Sequence, residues 1–314
     1  MEMRGVVDIS EWIAVDEEPG GAEVKTWLAP RTGDDERWLF KPVRRGDKAV
    51  KGGGEPEVFL QGNPWAESIA YRLGIALGVP MAQAELARWG ILEGSISRDV
   101  SPEGWSLHSG SVRLAEVAPE YVPRTSKDKR PDRVGHSLPR IFEALHGVAG
   151  PLGSPYEDWP AIDVFAAFLL LDALIANQDR HEENWAVLDG PDGELHLSPA
   201  FDHGSSLGAG MDDIARRRIL DTDRVTRWCE RGRALKIERA EGRVRRLVEL
   251  ASDAFDMCHP SNRRYWSARL TSLDLGHVDE VIATTPRMSE VARTLAGAVL
   301  RVNRERLLQC LARS

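Results

Sequence analysis

The sequence Asn177-Gln178-Asp179-Arg180-His181-Glu182-Glu183-Asn184 directly follows the longest apolar run of the chain, Val164–Ala176. That run holds 13 residues with Asp172 inside it, which is too short to cross a bilayer and predicts a buried helix. A hairpin is predicted next, with strands at Trp185–Leu188 and Glu194–Leu197 around a Gly-Pro-Asp-Gly turn. The polar stretch is therefore expected in a loop between a core helix and a hairpin.

The segment after the hairpin, Phe201-Asp202-His203-Gly204, adds a second carboxylate. Phosphoryl transfer needs one carboxylate that orients the attacking hydroxyl and accepts its proton, and oxygen ligands that hold magnesium against the phosphates. Asp179 and Asn184 are five positions apart, and the hairpin should return Asp202 beside them. Asp-x4-Asn, a hairpin and Asp-x-Gly form the pattern that a kinase-like site requires, with Gly204 allowing a tight turn. Each piece alone is typical of a solvated loop, so the prediction depends on their combination.

The first hundred residues are divided by glycine and proline into short predicted elements. Strands are expected at Val24–Leu28 and Arg37–Pro42, followed by an amphipathic helix at Trp65–Leu77 that Gly78 ends. A hairpin should follow, with strands at Ala82–Arg88 and Ile91–Arg98. The predicted order of elements is strand, strand, helix, strand, strand.

Several residues of this front half could contact a nucleotide. Gly20 and Gly21 precede a strand, where a backbone without side chains can approach phosphates. Lys41 ends an apolar strand and can reach the phosphates as a fixed positive charge, while Glu67 can pair with it. Each also has an ordinary alternative role. The glycine pair could form a simple turn, and Lys41 could be a surface lysine at a strand end. Glu67 could belong to a capping box with Asn63 as N-cap.

The segment Ser97-Arg98-Asp99-Val100 lies where a hinge between two lobes is expected, and backbone groups around Arg98 and Val100 could meet adenine. The polar, basic loop Tyr121–Ser137 is predicted to be mobile. Helices are then expected around 138–147, 160–176, 211–219, 237–255, 261–271 and 287–312. The predicted fold class is α+β, a two-lobed protein-kinase-like fold with a small mixed N-lobe (residues 1–103) and a mostly helical C-lobe (residues 104–314).

Composition supports an ordinary globular protein of 314 residues, with 42% hydrophobic and 29% charged residues. The formal net charge of −8 argues against general binding to nucleic acid or to an anionic membrane. Three widely spaced cysteines, Cys229, Cys258 and Cys310, favour a reducing, cytoplasmic compartment. The first twelve residues do not resemble a signal peptide.

In its motifs and their order, the sequence resembles the HipA-like kinases, the family of the bacterial persistence toxin. The specific parts of the resemblance are the catalytic-loop segment, residues 174–184, and the metal-binding segment, residues 197–202. Supporting similarities are Gly21-Ala22-Glu23-Val24-Lys25-Thr26, Phe40-Lys41-Pro42, Ala66-Glu67, Leu77-Gly78-Val79-Pro80 and the last predicted helices.

The resemblance implies a role for each matching residue. Asp179 would be the catalytic base, Asn184 and Asp202 would bind Mg²⁺, and His181 would shape the loop. Lys41 would contact the phosphates of ATP, and Gly21 to Lys25 would lie over them. The family suggests a Ser/Thr protein substrate and a small antitoxin-type inhibitor protein as partners, with toxin–antitoxin biology behind them.

The sequence also departs from the family. The resemblance begins close to the first residue of this sequence, so we expect the short form of the family, without the additional N-terminal subdomain of the full-length toxin. No serine stands in Glu17-Glu18-Pro19-Gly20, where the family often carries an autophosphorylated serine, and Glu23 replaces the usual Gln.

The sequence is also compatible with other functions. The runner-up enzyme is a small-molecule or phosphatidylinositol-type kinase, because the Asp-Arg-His and His-Gly sequences are similar to lipid-kinase loops. A catalytically weak pseudokinase that acts as a binding module would be a different class. A metal hydrolase that uses His181, His196 and His203 is disfavoured, since their spacing matches no zinc motif.

Overall fold

A computed structural model of the chain describes residues 5–18, 25–31, 36–48, 55–123 and 133–312. Their strands are β1 (Val7–Asp8), β2 (Ile13–Glu18), β3 (Lys25–Ala29), β4 (Trp38–Pro42), β5 (Arg45–Lys48), β6 (Glu57–Leu60), β7 (Ala84–Trp89), β8 (Leu92–Arg98), β9 (Ser106–Ser109), β10 (Ala186–Asp189) and β11 (Leu195–Leu197). Their helices are α1 (Asn63–Leu77), α2 (Gly110–Val117), α3 (Leu138–Ala144), α4 (Ala161–Leu174), α5 (Asp213–Asp221), α6 (Val225–Glu230), α7 (Leu247–Asp256), α8 (Pro260–Thr271), α9 (Leu275–Thr284) and α10 (Glu290–Leu311).

The N-terminal part is a six-stranded sheet in the order β1-β7-β8-β4-β3-β2, with α1 packed against β7 and β8. Alternation along β3 buries Thr26 and Leu28, as a half-buried strand requires. Helix α1 begins with a proline in its first turn and ends at Gly78, whose φ of 89° only glycine adopts readily. The predicted helix and the predicted hairpin after it are both confirmed.

The C-terminal part is built around α4. The thirteen residues from Val164 to Ala176, which run from the first turn of α4 to just past its end, are all buried. Helices α7 and α10 pack on α4, and one hydrophobic core continues from there to α1. A second sheet, in the order β11-β10-β9, stands beside the helices. The expected hairpin is the β10–β11 pair, with Val187 opposite Leu197.

Some predicted elements are wrong. The helix expected at 237–255 begins only at Leu247, because the chain before it bonds to other segments and turns at Gly242, where φ is 76°. Helices α2, α6 and α9 and strands β1, β2, β5, β6 and β9 were not predicted. In β2 the apolar residues Ile13 and Val15 are half exposed on an edge strand, so no buried face marks the strand in the sequence.

Several predictions concern segments outside the described residues, including Gly20, Gly21 and residues 124–132 of the basic loop. The described end of that loop contradicts the expectation of mobility: His136 is fully buried, and the Gly135 amide donates to Glu238. Strand β8 ends the first sheet at Arg98 and β9 opens the second at Ser106, while the lobe division at 103 stays a prediction. Within the described ranges, no helix has the length and apolar character needed to span a bilayer.

Candidate active site

The loop after α4 takes its conformation from hydrogen bonds to the helix end. Ala176 adopts a φ of 54°, which turns the chain out of the helix. Asn177 then donates from its side chain to Asp172 Oδ1 at 2.7 Å, and its Oδ1 accepts the backbone N–H of Asp179 at 3.2 Å. The buried Asn177 therefore holds Asp179 at a fixed distance from the core helix.

Arg180 joins this loop to the segment after the hairpin. Its guanidinium, almost fully buried, donates to the Asn184 carbonyl and lies 3.5 Å from the Phe201 carbonyl. Its Nη2 also donates to His203 Nε2 at 3.0 Å, which makes that ring nitrogen an acceptor. Because one side chain contacts both segments, Asp179 and Asp202 are held by a common support.

Asp179 lies at the centre of three contacts. Its carbonyl oxygen accepts from Asn184 Nδ2 at 2.7 Å. Because this bond uses the amide nitrogen of Asn184, it does not occupy the amide oxygen. Its carboxylate accepts from Ser205 Oγ at 3.1 Å and pairs with Lys236 Nζ at 3.2 Å. The return of Ser205 to Asp179 shows that the hairpin brings the two predicted segments together.

Asp202 faces a cluster of cations from the N-terminal sheet. Lys41 Nζ lies 3.2 Å from Asp202 Oδ1. Burial would raise the pKa of the Asp202 carboxyl, but the charges of Lys41, Lys25 and Arg44 outweigh it and hold that pKa below its usual range. Asp202 also adopts a φ of 59°, a conformation that Asp tolerates better than most residues.

Glu67 positions the backbone after Asp202. Both its carboxylate oxygens accept the His203 N–H, at 3.0 and 2.9 Å, and its side chain is buried. Burial raises the pKa of Glu67, whereas Lys41 and the His203 bond lower it, with a net shift downward. The alternative capping-box role is wrong, because the N-cap of α1 is Gly62 and no side chain caps it.

His181 is close enough to both aspartates for their charges to act on its ring. Burial lowers the pKa of His181, while the charges of Asp179 and Asp202 act in the opposite direction without reversing the shift. Its Nδ1 accepts the Glu183 N–H at 3.2 Å, a bond inside the loop that suits the predicted shaping role. The neutral ring adds no positive charge to the site at neutral pH.

Lys236 is a site residue that was not predicted from the sequence. This lysine comes from the irregular segment before α7, where a helix was expected, and no local motif marks it. Its backbone carbonyl accepts from His136 Nδ1 at 2.6 Å, and His136 Nε2 accepts from Trp185 Nε1 at 3.2 Å. These bonds and the Arg233 N–H to Gln178 Oε1 bond at 3.2 Å fix the segment against the catalytic loop.

The donor set fits a magnesium ion. Mg²⁺ is commonly held by one or two protein oxygen ligands together with waters and phosphates. Asp202 supplies an ionised carboxylate, and the amide oxygen of Asn184 is a hard ligand of the preferred type. Among the residues described, no group of three or more His, Cys, Asp or Glu side chains could hold a metal alone. His196 instead bonds the Gly150 carbonyl at 2.8 Å, away from any zinc-like cluster.

The remaining predicted contacts lie at the edge of this arrangement. Lys25 directly precedes Thr26, which is opposite Phe40 in the β3–β4 register, and its charge lowers the pKa of Asp202. Arg98 directs its guanidinium to Glu36 at 2.7 Å on the surface, and the neighbouring Asp99 N–H bonds the Arg37 carbonyl at 2.8 Å. Roles for Arg98 and Val100 in nucleotide binding stay predictions.

Comparisons with known proteins give a family match and similar solved structures. The family model described as HipA-like C-terminal domain matches residues 18–258. The structure is similar to the proinflammatory kinase CtkA of Helicobacter pylori, with a TM-score of 0.67 and 16% identity over 98% of this chain and 97% of that chain. It is also similar to HipA of Shewanella oneidensis MR-1, solved with HipB and operator DNA, with a TM-score of 0.53 and 14% identity over 100% of this chain and 65% of that chain.

A comparison with curated protein sequences gives no match. The structural likenesses, at these low identities, establish the fold, and the family match covers most of the sequence. The predicted resemblance and the predicted kinase-like fold are both confirmed. The chain belongs to the HipA-like C-terminal domain family and has the two-part, mixed sheet and helical fold of its kinase neighbours.

Proposed function

We propose that the protein is an ATP- and Mg²⁺-dependent kinase that transfers the γ-phosphate to a Ser or Thr hydroxyl of a protein substrate. The observation that carries the proposal is the convergence of two carboxylates and two lysines: Asp179 pairs with Lys236, and Asp202 pairs with Lys41. The carboxylates supply a base and a metal ligand, while the lysines supply charge for phosphates. Family membership and the kinase neighbours support the same reaction class.

Asp179 would act as the general base in this reaction. Its two carboxylate oxygens have about four lone-pair positions, so the contacts with Ser205 and Lys236 leave room for an acceptor hydroxyl. Asp179 takes the hydroxyl proton as the new oxygen–phosphorus bond forms and the bond to the β–γ bridging oxygen breaks, releasing ADP. The hydrogen bonds through Asn177 and Asn184 hold it in position for that step.

The cations would neutralise charge that moves during the transfer. Lys41, and with it Lys25, face the metal-binding side near Asp202, where the nucleotide phosphates would lie. Lys236 faces the base and would meet the phosphoryl group as it approaches the acceptor. A bound Mg²⁺, held by Asp202 and Asn184, would supply further charge neutralisation at the phosphates.

We also propose a reducing, cytoplasmic setting and a small inhibitor protein as partner. The three cysteines are free thiols, which suits a reducing compartment. The partner proposal rests on the similar HipA structure, which was solved together with HipB. Co-purification of the tagged protein from its own host would identify such a partner by mass spectrometry, and recovery of the protein alone would argue against it.

Calorimetric titration with ATP, with and without Mg²⁺, tests the nucleotide site. Magnesium-dependent binding is expected for the wild type and for a surface control, Asp279→Ala, but not for Asp202→Ala. Equal binding by Asp202→Ala and the control would contradict the assignment of Asp202. No binding by the wild type would favour a binding module without kinase activity.

The acceptor class requires a second experiment. Labelled ATP is incubated with the protein and a bacterial lysate, and the protein and lipid fractions are separated before counting. Label on serine or threonine that depends on Asp179 supports a protein kinase. Label confined to the lipid or small-molecule fraction would overturn the protein substrate and keep the phosphotransferase.

A further inference from the structure

The corner between α5 and α6 forms a basic cavity of about 200 Å³, called here the arginine cavity. Trp228 and Ile219 pack against the hydrophobic core and make its apolar part. Four arginines surround them, and all four are exposed to solvent. The lining residues are Arg218, Ile219, Arg224, Arg227, Trp228 and Arg231.

The arginines are arranged on one face. Arg227 lies within α6, and Arg224 and Arg231 are the residues that flank its two ends. All three line the same cavity. Arg218 joins them from the last turn of α5. Like charges this close repel each other, so the cluster is electrostatically unfavourable unless an anion lies among them.

These four guanidinium groups make no hydrogen bond or ion pair with any part of the chain that the structure describes. Other exposed arginines do pair: Arg301 contacts Asp279, and Arg243 contacts Glu249 at 3.0 Å. In a chain of net charge −8, carboxylates to pair with are plentiful. Because the described residues leave these four arginines without a partner, their charge is available to an anionic ligand.

The arginine cavity is connected to the catalytic loop through a short stretch of chain. Arg233 bonds Gln178, and Lys236 pairs with Asp179. Lys236 is five positions after Arg231, and five fully extended residues span at most about 18 Å. A peptide that places its hydroxyl at Asp179 can therefore reach the cavity with residues close to that hydroxyl.

We propose that the arginine cavity binds an acidic segment of the protein substrate, a proposal that rests on the kinase function proposed above. Guanidinium groups bind carboxylates through paired hydrogen bonds, and Trp228 offers an apolar surface to the stems of glutamate side chains. Nucleic acid fits less well, because its binding sites spread cations along the path of a strand rather than around one compact cavity.

Fluorescence anisotropy with a fluorescein-labelled polyglutamate peptide tests the binding directly. The Asp179→Asn background keeps catalysis out of the measurement. Arg227→Gln/Arg231→Gln should weaken binding by about tenfold, and binding should fall steeply at about 0.5 M salt. The control Arg264→Gln/Arg301→Gln removes the same charge elsewhere on the surface and should bind as well as the background protein.

Equal affinity of the cavity variant and the control would overturn the proposal. A labelled single-stranded oligonucleotide that binds the cavity more tightly than the peptide would replace the acidic peptide with nucleic acid and also overturn it. Phosphate transfer to lysate proteins separates the two hypotheses. Transfer that needs Asp179 but not the arginine pair keeps the kinase and rejects the docking site. Peptide binding that needs the arginine pair, without any transfer by the wild type, keeps the acidic-peptide site and rejects the kinase.

Discussion

Arg180 and Asp172 form a two-bonded ion pair inside the helical part of the protein, with Nε 2.8 Å from Oδ2 and Nη2 2.9 Å from Oδ1. Both side chains are almost completely buried. The pair explains why an aspartate interrupts the apolar sequence of α4: its carboxylate balances the charge of the arginine that supports both site segments. The ion pair thus lies beneath the catalytic loop and is not itself exposed to substrate.

Breaking this pair should cost both stability and activity. Arg180→Met leaves Asp172 buried without its cation, and the free energy of unfolding should fall by about 3–5 kcal/mol. The double variant Arg180→Met/Asp172→Leu removes the buried charge as well and should recover much of that loss. Urea unfolding measures the stability of each variant.

Phosphate transfer should stay low in the double variant. Neither methionine nor leucine can donate the hydrogen bonds that Arg180 makes to the Asn184 carbonyl and to His203. A double variant that recovers both stability and transfer would show that Arg180 has no positioning role. The comparison therefore separates support of the fold from support of the site.

Asp179→Asn should reduce the transfer rate by about a thousandfold while nucleotide binding stays close to wild type. The amide keeps the shape of the side chain and its contact with Ser205, but it cannot accept the proton. Single-turnover measurements with labelled ATP give the rate, and calorimetry gives the affinity. Wild-type turnover in this variant would remove Asp179 as the base.

Lys236→Met should lower the rate by about a hundredfold with little effect on ATP affinity, since its ammonium group faces the base rather than Asp202. Lys41→Met should instead weaken ATP binding, because Lys41 lies at the metal-binding carboxylate. The two variants remove the same charge, so each serves as the control for the other. Identical effects of both on affinity would contradict the separate roles.

His136 should make the protein less stable as the pH falls. Burial lowers the pKa of His136 to about 4, although the nearby Glu182 acts in the opposite direction. Below the ordinary value of 6.5, the unfolded chain takes up a proton that the folded chain does not, so the free energy of unfolding declines between pH 6.5 and about 4. The full decline from this residue is about 3 kcal/mol.

His136→Gln supplies the matched control, because Gln can still donate to the Lys236 carbonyl but does not titrate. The stability difference between wild type and variant should shrink from pH 7 to pH 5 in urea unfolding experiments. A difference that stays constant over this range would show that His136 titrates normally in the folded protein.

The sequence by itself determined the fold class, helices α1, α4 and α10, the β7–β8 and β10–β11 hairpins, and the grouping of Asp179, Asn184 and Asp202. The helices and hairpins are local features, because periodicity and turn residues act within a few residues. The hairpin between Asn184 and Asp202 returns the second carboxylate to the first, so the grouping could be predicted from a short segment. The resemblance to a known family then suggested what each of these motif residues does in phosphoryl transfer.

Tertiary structure alone decided which charges meet. Lys236 and Asp179 are 57 positions apart and Glu67 and His203 are 136 apart, distances over which no periodicity connects residues. The segment before α7 does not form a helix because its backbone bonds to the catalytic loop and to His136. Edge strand β2 likewise has no buried face to mark it in the sequence. Whether such segments form a helix, a strand or neither depends on the free energy of contacts that exist only after the chain has folded.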